Sequence, residues 1–567
     1  MKRLFSVLLC FVLILSVVPV QPYAEQNNLA ESKQEAVLAA VYEADIASLR
    51  LALDEGLITS KALTQYYLNR IAQYDDPYNC FITMCDDAIE VAEQRDAAIA
   101  KGEGKGLLFG IPVVIKDNMD LSGYHTTNGR DKTDKQIAKS DADVVEYLLA
   151  EGAVVIAKAN MSTDAQNALR SYSQVAGETK NAYNRYLAAG GSSGGSAVSV
   201  SLNFAAASLG TDTNSSLRIP AALAGCVSLR PTFGKISVSG IKKLNSTRDV
   251  PGAITRSVAD QAILLDVLTQ GQYSFAEQLN ADALDGMRIG ILKQLSYATT
   301  KTGTRSDENI DDEVAAAFEN AILELKNCGA EVVEISWPEL FTLSDKTFSN
   351  NKSSAKNQLY NAFLELLEKE AVSAVIYPTY LSTPLRSGKD ENGKYWNVYD
   401  QININNCRTL APSAGIPEIT VPIGLHSLGA GIGMEIAAAK DCEQLLLNIA
   451  HSYTSRYDHR QIPTGAPNEF VSSYEGTIEQ IVKVMHAPLE ETVPPTEPML
   501  TEPEAVDEKV EETEKTEKTE DEVIINFWYY WPFGLLAVLV IALIILLIRL
   551  RKNRKRKRRK NPVFIRE

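Results

Sequence analysis

The chain is poor in the residues that build metal and redox centres. It has five histidines and seven cysteines among 567 residues. No two cysteines have CxxC spacing, no cysteine lies beside a histidine at ligand spacing, and there is no HExxH run, so the motifs offer no zinc site. His125, His426, His451, His459 and His486 are read as surface or packing residues. Cys10 lies in an N-terminal apolar run. Cys80, Cys85, Cys226, Cys328, Cys407 and Cys442 are read as mostly free, buried thiols, because so large a domain needs no disulfide framework. Positive charge is also short. The formal net charge of -16 argues against a nucleic-acid partner. There is no internal repeat, no Gly-Lys-Ser/Thr phosphate loop and no cofactor motif, so neither metal nor organic cofactor is implied.

Long apolar runs are confined to the two ends. Met1-Lys2-Arg3 precedes an apolar stretch to about Val20 and then Pro22-Tyr23-Ala24, which reads as a secretory signal peptide over 1–24. Phe527–Ile548 carries no charge over 22 residues, enough for a bilayer-spanning helix of about 30 Å; a transmembrane segment is expected over 526–548. Trp528, Tyr529, Tyr530 and Trp531 suit a membrane interface. The tail 549–567 holds ten Lys or Arg between Arg549 and Lys560, and the positive-inside rule places it in the cytoplasm. The expected topology is a single-pass cell-membrane protein with the large middle region extracellular. Residues 489–525, rich in Glu, Thr, Pro and Lys, read as an extended acidic stalk, which leaves 25–488 as one globular unit.

Within that unit helical and strand patterns alternate. Leu63, Tyr66, Tyr67 and Ile71 line a helix capped by Thr59-Ser60. Val144, Val145, Leu148 and Leu149 mark a helix ending at Gly152, with a strand at 153–157. Val314, Phe318, Ala321, Ile322 and Leu325 mark another, followed by a strand at 331–335. Short strands are expected at 288–292 and 374–377. Such units predict an α/β fold, a sheet covered by helices, with the strand order left open. Phe341, Leu359, Phe363 and Leu366 fall at roughly helical spacing and read as core packing.

Three segments carry chemistry. Gly190-Gly191-Ser192-Ser193-Gly194-Gly195-Ser196 reads by itself as a flexible linker, but its apolar flanks suit tight packing. Ser216 follows 24 residues after Ser192, within Gly210-Thr211-Asp212-Thr213-Asn214-Ser215-Ser216-Leu217-Arg218-Ile219-Pro220. Lys116 ends the apolar run of Gly110–Asn118, where burial would lower its pKa toward that of a useful base.

Together these segments resemble the amidase signature family. So do Gly225–Gly234, Gly252–Asp260 and Ala414–Gly424, and the likeness runs from about residue 45 to 460. The resemblance implies one large mixed sheet covered by helices. It also implies hydrolysis of a carboxamide C–N bond, with Ser216 as nucleophile, Ser192 (in a cis peptide bond) as proton relay and Lys116 as base. Backbone N–H groups of Thr213, Asn214, Ser215 and Ser216 would form the oxyanion hole, with Ser193, Asp212 and Arg218 in supporting places. Attack by Ser216 would give an acyl-enzyme that water releases.

The chain departs from the family pattern at Asn214 and Ser215, where many relatives have two glycines able to adopt positive φ; a reshaped oxyanion hole or a narrowed acyl pocket is the expected result. A further departure, Ala182 in place of Pro, is expected to act only locally. The alternative reading is a catalytically inactive, surface-anchored binding or scaffold protein. Some family members are glutamine amidotransferase subunits that act on aminoacyl-tRNA with partner subunits in the cytoplasm; the signal peptide and anchor argue against that role. The implied substrate is a small-molecule or peptide amide.

Overall fold

The computed structural model describes residues 35–131, 137–297, 311–350, 352–382, 386–388, 406–470 and 476–486. The chain divides into two units, Met1–Pro488 and Leu489–Glu567, and every described residue lies in the first. The signal peptide, stalk, transmembrane segment and basic tail expected from the sequence lie outside the described residues. Among the described residues no helix is long and apolar enough to cross a membrane.

An eleven-stranded mixed sheet forms the centre. Its strands are β1 (Phe81–Met84), β2 (Pro112–Lys116), β3 (Val154–Ala159), β4 (Ala207–Asp212), β5 (Val227–Arg230), β6 (Val250–Thr255), β7 (Arg288–Leu292), β8 (Glu331–Ile335), β9 (Ala374–Pro378), β10 (Glu418–His426) and β11 (Ala430–Ala437). Their order across the sheet is β1-β3-β2-β4-β6-β5-β10-β11-β9-β7-β8. β2 pairs in parallel with β3 and β4, and β7 with β8 and β9. The remaining pairings are antiparallel. β2, β3 and β4 are buried along their whole length, which is why Pro-Val-Val-Ile-Lys and Val-Val-Ile-Ala-Lys-Ala read as continuous apolar runs ending in a lone charge.

The expected elements form with small shifts at their ends. Thr59 caps the helix Ser60–Tyr74, its side chain accepting from the Ala62 N–H. Helices Asp143–Ala150 and Asp312–Asn327 lead into β3 and β8. Of the residues at roughly helical spacing, Phe341 belongs to the helix Leu340–Asn350, and Leu359, Phe363 and Leu366 to Ser353–Glu370. Leu359, Phe363 and Leu366 are core residues. The six described cysteines are free, and all but Cys442 are buried.

Strand direction decides where the site falls. β4 and β5 both run antiparallel to β6, so they point the same way as each other and as β2. Lys116, Asp212 and Arg230 are the last residues of β2, β4 and β5. All three charges therefore emerge at one end of the sheet, the carboxyl end, where open α/β sheets place their ligand sites. β10 enters from that end, with Glu418 opposite Arg230.

Candidate active site

The Gly-Ser segment is a buried turn into a helix. Residues 190–193 lead into the helix Gly194–Ser201, all of it buried. Its glycines are set by contact distance. A Cβ on Gly191 would lie 2.4 Å from the Asn167 carbonyl oxygen, and one on Gly195 would lie 2.4 Å from both the Asn160 and Cys80 carbonyl oxygens. Only hydrogen fits between such backbones. The Gly191–Ser192 peptide bond is cis.

This turn delivers two hydroxyls to Lys116. Lys116 Nζ lies 2.7 Å from Ser192 Oγ, 2.9 Å from Ser193 Oγ and 2.9 Å from Thr211 Oγ1. Lys116, Ser192 and Ser193 have no solvent exposure. Among the described residues no carboxylate forms an ion pair with this amine. Burial is the main influence on it and lowers its pKa to about 7; the charges of Asp212 and Asp249 raise it by less. A neutral amine has two N–H donors and one lone pair, and three hydroxyl neighbours match that inventory: two accept and one donates. If Ser192 donates, the proton it gives up lands on Lys116 with no rearrangement of the cluster.

Ser216 lies at the same sheet end, in the loop between β4 and the helix Arg218–Leu223. It is buried, at 4% exposure. No hydrogen bond joins its hydroxyl to Ser192 among the described residues. The structure thus brings Lys116, Ser192 and Ser193 into contact and leaves the Ser192–Ser216 leg open. None of the backbone N–H groups of Thr213, Asn214, Ser215 and Ser216 donates to a protein acceptor among the described residues. Asn214 and Ser215 do not have positive φ, so this backbone path does not require the two glycines of the family pattern. Asn214 Oδ1 and Ser215 Oγ are buried and unpartnered.

Arg218 fixes this loop. Its guanidinium, without solvent exposure, donates to Asp212 Oδ2 at 3.2 Å, Glu418 Oε2 at 2.7 Å and Glu435 Oε2 at 3.4 Å. It also donates to the carbonyl oxygens of Cys407 at 2.7 Å and Asn214 at 2.8 Å. Arg230 Nη1 reaches Asp212 through Oδ1 at 2.9 Å and the carbonyl at 2.7 Å. Burial opposes the charge on Asp212, but Arg218 and Arg230 outweigh it and hold the pKa below the usual value. Burial pushes Glu418 well above the usual carboxylate range, and Tyr377 donates its hydroxyl hydrogen to it. Thr213 Oγ1 donates to Asp249 Oδ1 at 2.6 Å, and the other Asp249 oxygen accepts from Leu244 and Asn245 N–H.

Sequence reasoning does not reach Thr211, Asp249, Glu418 or Glu435 as site residues. Thr211 stands within the Gly210–Pro220 segment, and the pairing of β2 with β4 places it beside Lys116; that signal needs the strand order. Among the described residues no group of three His, Cys, Asp or Glu side chains could hold a metal ion.

The amidase family model matches residues 62–354, just over half of the chain, and the chain belongs to this family. The fold and family define an amide-hydrolysing serine enzyme. The chain is 33% identical over 480 residues to a glutamyl-tRNA(Gln) amidotransferase subunit of Protochlamydia amoebophila, covering 72% of this chain and 96% of that protein. It is similar in structure to a peptide amidase from Stenotrophomonas maltophilia, with a TM-score of 0.62, 26% identity and coverage of 74% of this chain and 98% of that one. An amidase family protein from Bacillus anthracis shares the fold, with a TM-score of 0.62 at 24% identity over 76% of this chain and 94% of that one. The amidotransferase role, ranked low from the sequence, is thus the name carried by a well-covered relative.

Two outcomes follow from this geometry. Arg218→Met leaves Glu418 and Glu435 buried without their cation and Asp212 with Arg230 alone, and stability falls by about 3–5 kcal/mol. Chemical denaturation measures this, and an unchanged midpoint would refute the bracing role. If Lys116 is the base it must be neutral to accept a proton, and kcat/KM then rises about tenfold per pH unit up to about pH 7 and levels off above it. A profile flat from about pH 5 to about pH 9 removes Lys116 as the base.

Proposed function

We propose that the chain hydrolyses a carboxamide C–N bond through an acyl-enzyme on Ser216, with Ser192 relaying the proton to Lys116. The contact of Lys116 with Ser192 at 2.7 Å in a site closed to solvent carries this reading. In the reaction Ser216 Oγ attacks the carbonyl carbon and its proton passes to Ser192, whose own proton passes to Lys116. The Ser216 hydroxyl turns toward Ser192 when substrate fills the cleft; catalytic hydrogen bonds often tighten only at that stage. The oxygen that becomes negative faces the N–H groups of Thr213 to Ser216, which have no competing protein acceptor among the described residues. Lys116 returns its proton through Ser192 to the departing nitrogen, and water releases the acid by the same route. Asp212 and Arg218 act through the loop and touch no reacting atom. The buried, unpartnered Asn214 Oδ1 and Ser215 Oγ favour a substrate with polar groups near its reacting carbon.

The test uses the purified full-length protein and measures ammonia or amine release from a panel of simple amides. Lys116→Ala, Ser192→Ala and Ser216→Ala each reduce turnover by at least about a thousandfold. A folded parent without turnover, and without labelling of Ser216 by a fluorophosphonate, overturns the reading in favour of an inactive binding protein.

A second reading is supported by the similarity to the glutamyl-tRNA(Gln) amidotransferase protein: the same triad releasing ammonia for a partner protein. Glutaminase activity that appears only with partner proteins present would favour it.

We further propose that the enzyme unit faces the outside of the cell, supported by the apolar run up to Val20, the uncharged Phe527–Ile548 and the basic tail. Protease added to intact cells then removes the enzyme domain and spares an epitope at 549–567; a domain digested only after lysis reverses the topology.

A further inference from the structure

A second concave site lies at the same end of the sheet. Its volume is about 550 Å3, the size of a small-molecule pocket. Its walls come from the segment after β5, the turn before β10, the segment after β11 and the first turn of the helix Ser353–Glu370. None of the triad residues lines it. Lys235, Lys356 and Lys440 all do.

The three amines differ in how their charge is balanced. Lys235 is paired with Asp441 and Glu443, each at 3.0 Å. Lys356 and Lys440 have no ion-pair partner among the described residues. Each instead lies over an aromatic ring: Lys356 Nζ is 4.6 Å from the Phe233 ring centre, and Lys440 Nζ is 4.2 Å from that of Tyr360. Such contacts orient an ammonium without neutralising it. Lys356 also donates to the Thr247 carbonyl oxygen, which fixes its position while its charge remains.

Positive potential builds up behind this wall as well. Burial, then the charges of Arg230, Arg248 and Lys440, bring Lys356 down to about 8, so it is still mostly protonated at neutral pH. Burial likewise lowers Lys440. The helix Ser353–Glu370 has no side-chain cap at its N-terminus, and its dipole adds to the same sign. Asp441 in the same wall offsets part of the Lys440 charge, but two ammonium groups without an ion-pair partner among the described residues, lining one cavity, are complementary to an anionic group.

We propose that this cavity binds a small carboxylate- or phosphate-bearing molecule through Lys356 and Lys440, separately from the Ser216 centre. The shared chemistry is an anionic oxygen cluster meeting two fixed ammonium groups. The cavity exceeds the size of a bare inorganic anion, so the rest of the ligand would lie along Phe233 and Tyr273, which also line it.

The experiment is calorimetric titration of the purified full-length protein at fixed ionic strength, with citrate as the carboxylate probe and inorganic phosphate as the other. Saturable binding of at least one probe is expected, and the tighter of the two identifies the anion class. Lys356→Gln and Lys440→Gln each weaken it by about tenfold or more, the loss of one charge-assisted hydrogen bond. Ser216→Ala binds as the parent does, which separates this result from the fate of the proposed hydrolysis. Should either glutamine variant fail to fold, the other still decides, and anion-induced shifts in melting temperature give a second readout. The proposal is overturned if neither probe binds, or if a folded glutamine variant binds as tightly as the parent.

Discussion

Arg218 is buried among groups that only a folded chain brings together. Two of its partners lie close in sequence, Asp212 and the Asn214 carbonyl; three lie about two hundred residues away, the Cys407 carbonyl, Glu418 and Glu435. A guanidinium stripped of water costs several kcal/mol unless its donors are satisfied. Here that requirement binds the carboxyl end of β4 to β10 and β11. Ser216 lies between the held Asn214 carbonyl and Arg218 itself, so its loop is positioned by a constraint originating in the second half of the chain. The Asn214 carbonyl is held on the guanidinium. One ion network thus ties the end of β4 to β10 and β11 and engages a carbonyl of the loop that carries Ser216.

How much of this is legible in the sequence depends on range. The Gly-Ser turn, the strand ending in Lys116 and most helix and strand boundaries are readable, because each is a local pattern of period, cap or close approach. Gly191 and Gly195 are glycines because neighbouring carbonyl oxygens lie 2.4 Å from any Cβ; the sequence shows the glycines but not the carbonyls. The strand order, and with it the meeting of Thr211 with Lys116 and of Glu418 with Arg218, depends on pairings across the whole chain and leaves no local trace. The roughly helical spacing of Phe341, Leu359, Phe363 and Leu366 marks apolar residues of two helices, Leu340–Asn350 and Ser353–Glu370, which the spacing alone does not separate. At Asn214 and Ser215 the missing glycines predict a reshaped oxyanion hole or a narrowed acyl pocket. The backbone keeps φ negative at both positions, which any L-residue accepts.

Two buried lysines on adjacent strands show why burial alone does not define a base. In the parallel pairing of β2 with β3, Lys158 is opposite Ile115, so Lys116 and Lys158 point to opposite faces of the sheet. Lys158 finds Asp117 at 3.5 Å and donates to the His125 carbonyl at 2.6 Å and to Thr126 Oγ1 at 3.0 Å. Asp117 in turn accepts from Thr127 and Gly129. That lysine is part of an ion pair holding the loop after β2. Its pKa is lowered by burial but supported by the carboxylate. Lys116 has only hydroxyls in contact, and the acids that raise its pKa, Asp212 and Asp249, are committed elsewhere: the first to Arg218 and Arg230, the second to Thr213 and to the N–H groups of Leu244 and Asn245. Burial, with no carboxylate in contact, is what brings the amine's pKa down to about 7. A carboxylate placed directly on Lys116 would stabilise the ammonium and remove the lone pair that any base needs. The arginine network that anchors the loop bearing Ser216 also keeps Asp212 occupied, so the same buried charges that place the loop hold this acid away from Lys116.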